Sequence, residues 1–102
     1  MTTLPAQSIE YIIAEINDYM QKSGIPNNRW YVGIASDVQQ RLFSDHQVPE
    51  KSLWIYRKAR NEYDARAIEK AYIDAGCDGG PGGGDYTTVY VYAFVKTHLT
   101  KR

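Results

Sequence analysis

Ile9, Ile12, Ile13, Ile16 and Met20 recur at helical spacing and predict an amphipathic helix, with Ser8 as its N-cap and Gly24 just past its end. From Arg29 the period changes to two. Trp30, Val32 and Ile34 alternate with Arg29, Tyr31 and Gly33, the pattern of a half-buried strand. Ser36-Asp37-Val38-Gln39 then reads as a capping box opening a helix with Val38 and Leu42 on its apolar stripe. In Ser52 to Ala59, Leu53 and Ile55 alternate with Trp54, Tyr56 and Lys58, predicting a second strand. Asn61 caps a third helix, expected to bury Tyr63, Ala65, Ile68, Tyr72 and Ala75 and to stop at Gly76. Asp78 to Asp85, nearly all glycine and proline, fits neither element. Thr87 to Lys96 alternates most clearly of all: Val89, Val91, Ala93 and Val95 face one way, Tyr90, Tyr92, Phe94 and Lys96 the other. The order α-β-α-β-α-β predicts a small α+β fold.

Composition narrows the classes. A length of 102 residues allows one domain, 1–102, and 43% hydrophobic residues supply one modest core. Twelve basic and twelve acidic residues cancel, so bulk charge draws the chain to no polyanion. The single cysteine, Cys77, excludes an internal disulfide and a cysteine-cluster zinc site, and suits a reducing compartment. No apolar run approaches the roughly 18 residues that span a membrane, and no basic residues precede an apolar stretch near Met1. A cytoplasmic location without membrane contact is therefore the expectation.

Few residues invite chemistry. Arg41 emerges beside the apolar stripe of its helix, where a guanidinium could hold two phosphate oxygens or simply pair with Asp45 at i+4. Glu69 lies about 40° around its helix from Ala65, on the inner flank, where a carboxylate needs a partner. A divalent metal or Arg41 would serve. Tyr31 is a phenol on the central alternating stretch, and needs nearby positive charge to act as a base. His46, near the end of its helix, reads more often as a cap or a surface residue than as a catalytic one. Residues 78–85 could form an anion-holding nest, although two aspartates flank it. Arg57, Lys58 and Arg60 lie near Trp54 and Tyr56, a basic and aromatic patch suited to nucleic acid.

Tyr31-Val32-Gly33, a following Ser36, Arg41, His46 and then Glu69 resemble the second half of the GIY-YIG nuclease signature, over roughly residues 29–76. The resemblance implies a three-stranded antiparallel sheet flanked by three helices, and a metal-dependent endonuclease that hydrolyses phosphodiester bonds. It implies Arg41 on the scissile phosphate, Glu69 on a single Mg²⁺ or Mn²⁺, and Tyr31 orienting or deprotonating water, with His46 nearby. The partner would be nucleic acid, DNA rather than RNA, with a homodimer or a partner protein adding specificity. The family's first Gly-Ile-Tyr strand is absent ahead of Tyr31, as is a further C-terminal asparagine. The strand at Thr87 to Lys96 is expected to fill the first gap, pairing in the same sheet as Arg29 to Ala35 and placing Tyr92 beside Tyr31. The alternatives are a binding module for nucleic acid or protein that has lost catalysis, and an unrelated α+β domain of structural role.

Overall fold

The first helix, α1 (Ile9–Ser23), starts where Ser8 Oγ accepts the Tyr11 N–H at 3.1 Å and stops where Gly24 turns left-handed at φ 72°. This computed structural model describes residues 5–80 and 84–102. After a 3₁₀ turn at Asn27–Arg29 come strand β1 (Trp30–Ala35), a π-helix (Gln40–Asp45), strand β2 (Trp54–Lys58), helix α2 (Glu62–Asp74) and strand β3 (Tyr90–Val95). The architecture is α+β, with a three-stranded antiparallel sheet in the order β1-β3-β2. The last strand is thus central. It pairs with β1 in the register Tyr31↔Phe94, Gly33↔Tyr92, and with β2 in the register Trp54↔Phe94, Tyr56↔Tyr92. The expected pairing of the C-terminal strand beside residues 29–35 is present.

Strand alternation sorts the two faces. Trp30, Val32, Ile34, Val91, Ala93 and Val95 face α1 and α2 and meet Ile12, Ile16, Ile68 and Tyr72 in the main core. Tyr31, Tyr92 and Phe94 face the other way, where Val38, Leu42 and Val48 cover them in a smaller aromatic cluster. Both faces being covered, all six residues of β1 are buried, so the strand is not half-buried as its alternation suggested. Its outer edge is closed too. The Val32 N–H donates to the Asp78 carbonyl at 2.9 Å, and the Asp78 N–H to the Trp30 carbonyl at 2.8 Å.

Two local expectations need correction. Asp37, not Ser36, caps the helix after β1: its Oδ1 accepts the Gln40 N–H at 3.1 Å, because β1 runs extended through Ala35 and the turn begins one residue later. On α2, capped by Asn61 as expected, Tyr63 is 75% exposed and Ala75 is exposed as well. Tyr63 lies about 200° around the helix from Ala65, on its outer side. Among the described residues no helix is long and apolar enough to cross a membrane.

Candidate active site

The cleft is built around a missing side chain. Gly33 faces Tyr92 across the β1–β3 ladder, and the phenol of Tyr92 lies over it; a Cβ on Gly33 would fall on the Tyr92 hydroxyl. Tyr92 is 1% exposed, and its hydroxyl meets His46 Nε2 at 2.8 Å. His46 reaches that position because the helix after β1 is wound with i→i+5 bonds. The His46 N–H donates to the Arg41 carbonyl at 2.9 Å, and Gln47 then turns left-handed at φ 54°. The other ring nitrogen, Nδ1, lies 2.6 Å from the Lys101 carbonyl. A carbonyl only accepts, so the network assigns the proton to Nδ1. Burial pushes the His46 pKa down, against the Lys101 hydrogen bond that raises it, and so favours the neutral ring, in which Nε2 accepts the Tyr92 O–H.

Tyr31 stands beside this pair. Its ring lies 4.7 Å from that of His46 and 5.2 Å from that of Phe94. Burial raises its pKa, as do the charges of Asp78 and Glu69, while Arg41 and Arg102 pull it down. Burial also holds the Tyr92 phenol well above its ordinary value. Neither phenol is a ready phenolate, so either would need a proton acceptor, and His46 stands on Tyr92.

Arg41 and Glu69 approach the same space from separate helices. A cleft of about 330 Å³ is lined by Tyr31, Gly33, Arg41, Glu69, Thr88 and Tyr92, among others. Glu69 is 8% exposed, and burial raises its pKa although Arg66 opposes this. Glu69 and Arg41 do not form the ion pair considered from sequence. Arg41 Nε instead pairs with Asp45 Oδ2 at 3.2 Å, one turn along its own helix, with both side chains nearly half exposed.

Among the described residues no three His, Cys, Asp or Glu side chains gather as a metal cage. Among the described residues that line the cleft, Glu69 is the one carboxylate that could hold an ion. That donor set fits Mg²⁺ or Mn²⁺, hard ions that take one or two carboxylates with water and substrate phosphate completing the shell.

Elsewhere the sequence reading is redistributed. The proposed anion nest centres on residues 81–83, outside the described residues, although Gly80 and Gly84 border the cleft. The basic patch is largely neutralised: Arg57 pairs with Glu15 at 3.3 Å and Arg60 with Asp64 at 3.1 Å. Sequence reasoning missed the last two residues. The Lys101 backbone holds His46, and Arg102 Nε pairs with Asp78 Oδ2 at 2.5 Å, which Lys96 Nζ also approaches at 3.3 Å. Only the basic character of residues 101 and 102 hinted at this, since no hydrophobic period reaches them. Comparison with protein-family models, with curated proteins and with solved structures gives no match.

Proposed function

We propose that this chain is a GIY-YIG-like, metal-dependent nuclease domain that hydrolyses phosphodiester bonds in nucleic acid. The observation that carries the reading is convergence: Tyr31 from β1, Arg41 from the π-helix, Glu69 from α2 and Tyr92 from β3 line one cleft. Tyr31, Arg41 and Glu69 are residues the motif resemblance selects, and Tyr92 is the one expected to replace the tyrosine of its absent strand. The central position of β3 supports the further reading that it stands in for the family's absent first strand.

The roles follow from the geometry. Arg41, exposed at the rim, would exchange Asp45 for a phosphate and hold two of its oxygens. Glu69 would hold Mg²⁺ or Mn²⁺, which when bound supplies positive charge to the phosphate and the departing oxygen. Tyr92 would pass its proton to His46 Nε2 as it takes one from the attacking water, so that the water oxygen bonds phosphorus while the ester oxygen leaves. Tyr31, stacked on Phe94 and His46, would orient that water.

One observation favours the second reading, a binding module without catalysis. Both phenols sit above their ordinary pKa, and Arg41 already has a carboxylate partner. Incubation with single- and double-stranded DNA and RNA, with and without Mg²⁺ or Mn²⁺, separates the two. Cleavage that requires the ion and disappears in Glu69→Gln supports the nuclease. Binding without cleavage on every substrate supports the module.

A further inference from the structure

We infer that Lys101 and Arg102 are positioning residues: the strap they make between His46 and Asp78 decides which nitrogen of His46 carries the proton, and hence which way the Tyr92 hydroxyl points. The inference rests on the catalytic reading only for its consequence, not for its geometry.

The strap is built by local chemistry. After β3, residues 97–100 fold into a tight turn in which Thr100 N–H donates to the Thr97 carbonyl at 3.2 Å and Thr97 N–H to Thr100 Oγ1 at 3.1 Å. The turn returns the chain to the end of the π-helix. There Lys101 and His46 are joined twice. The Lys101 N–H donates to the His46 carbonyl at 2.6 Å, and the Lys101 carbonyl accepts from His46 Nδ1 at 2.6 Å. One residue on, the Arg102 guanidinium is tied to Asp78, whose backbone is bonded to the edge of β1. The strap thus spans the two elements on either side of Tyr31.

Of the paired hydrogen bonds at Lys101, the one to its carbonyl has a directional effect. An imidazole facing a carbonyl through Nδ1 must donate there, and when neutral it has only a lone pair left at Nε2. Tyr92 must then be the donor to His46, with its oxygen lone pairs turned to the Arg41 guanidinium and the cleft. Without the Lys101 carbonyl the ring could carry its proton on Nε2 and donate to Tyr92. The Tyr92 proton would then point into the cleft, and the route by which it leaves would be closed. A metal-bound imidazole is held in one tautomer by the same kind of partner on its other nitrogen.

The test reads the ring directly. The chain has two histidines, so ¹⁵N ring signals assign readily, with exposed His98 as the internal reference. At neutral pH, His46 is expected to show one tautomer, protonated at Nδ1 and an acceptor at Nε2. Lys101→Ala keeps both backbone groups and should leave that signature unchanged. Lys101→Pro removes the N–H that pins the strap and should give mixed tautomers, while Arg102→Gln, loosening only the tie to Asp78, should give a smaller shift in the same direction. Amide signals of β1 and β3 report whether the sheet survives each change. An Nε2-protonated His46 in the unaltered protein overturns the inference whatever the variants do, as does a Lys101→Pro protein with an intact sheet and an unchanged ring. If the protein cleaves nucleic acid, Lys101→Pro should be slower by about 10-fold or more. A protein inert on every substrate but with the expected tautomers sinks the nuclease reading and leaves the strap standing.

Discussion

Glu69 is held where its charge is disfavoured. Its folded pKa is raised by burial, so the folded state binds the Glu69 proton more tightly than the unfolded chain does. The sign follows: its contribution to stability is fullest below the ordinary carboxylate pKa and is lost as pH rises through the raised value. Glu69→Gln keeps the shape and removes the charge, so it should raise the melting temperature at neutral pH, with the gain fading as the solution is acidified toward pH 4. The same variant should lose cleavage by at least about 100-fold, the scale of removing one stabilising group from a reacting centre. Mg²⁺ or Mn²⁺ should raise the melting temperature of the parent but not of the variant. A variant that loses stability and keeps its activity would remove Glu69 from the site. Arg41 behaves differently because its ion pair is exposed. Arg41→Ala should shift stability by less than about 1 kcal/mol, the range for surface pairs, while phosphate or oligonucleotide affinity falls. Global unfolding of Arg41→Ala in a thermal melt would instead mark Arg41 as part of the scaffold.

Among the elements, the contact between β1 and β3 matters most to the cleft. Tyr92 can lie across β1 only because Gly33 has no side chain. Gly33→Ala would drive a methyl group into the phenol and force Tyr92 away from His46, at a cost of about 1–3 kcal/mol for overpacking. A denaturant melt should register that loss, and the His46 ring signals should shift with it. Parental stability and unchanged ring signals in Gly33→Ala would mean that Tyr92 has another place to lie. The π-helix matters for the same reason. Its wider winding brings His46 under Tyr92 while Arg41 stays at the rim, although only five residues separate them.

Over the whole molecule, the strand made last from the sequence is the one most enclosed. β3 is paired along both edges, and Val91 to Val95 are all buried. Amides of residues 91–94 should therefore exchange with solvent most slowly, near the rate set by global unfolding. If amides of α1 outlasted them, the sheet would not be the most stable unit. The balanced charge also has a whole-molecule consequence. With twelve charges of each sign, the nucleic-acid binding proposed above would have to be local to the cleft, and affinity should then fall only gently with salt. Arg41→Ala should flatten a log–log salt plot by about one unit if that residue holds one phosphate.

Local sequence was enough for much that depends on near neighbours in the chain, although it put the cap after β1 one residue early and Tyr63 on the wrong side of α2. The spacing of Ile9, Ile12, Ile16 and Met20 fixes a buried face on α1, and Ser8 and Asn61 sit where the first N–H groups of their helices need an acceptor. The alternation in residues 87–96 already separates Val91 and Ala93 from Tyr92 and Phe94, and the need for a third strand brings β3 to the sheet. The burial of Glu69 could be read from its angle on α2. Relations between distant residues were decided only by the tertiary structure. Which hydroxyl His46 meets depends on the winding of a helix and on a ladder 46 residues further along. That Arg41 pairs with Asp45 and not Glu69 depends on how two helices are set on the sheet. The grip of Lys101 on His46 joins residues 55 apart through the backbone atoms of Lys101, and backbone groups are the same in every residue, so no pattern of side chains announces the partner of the imidazole.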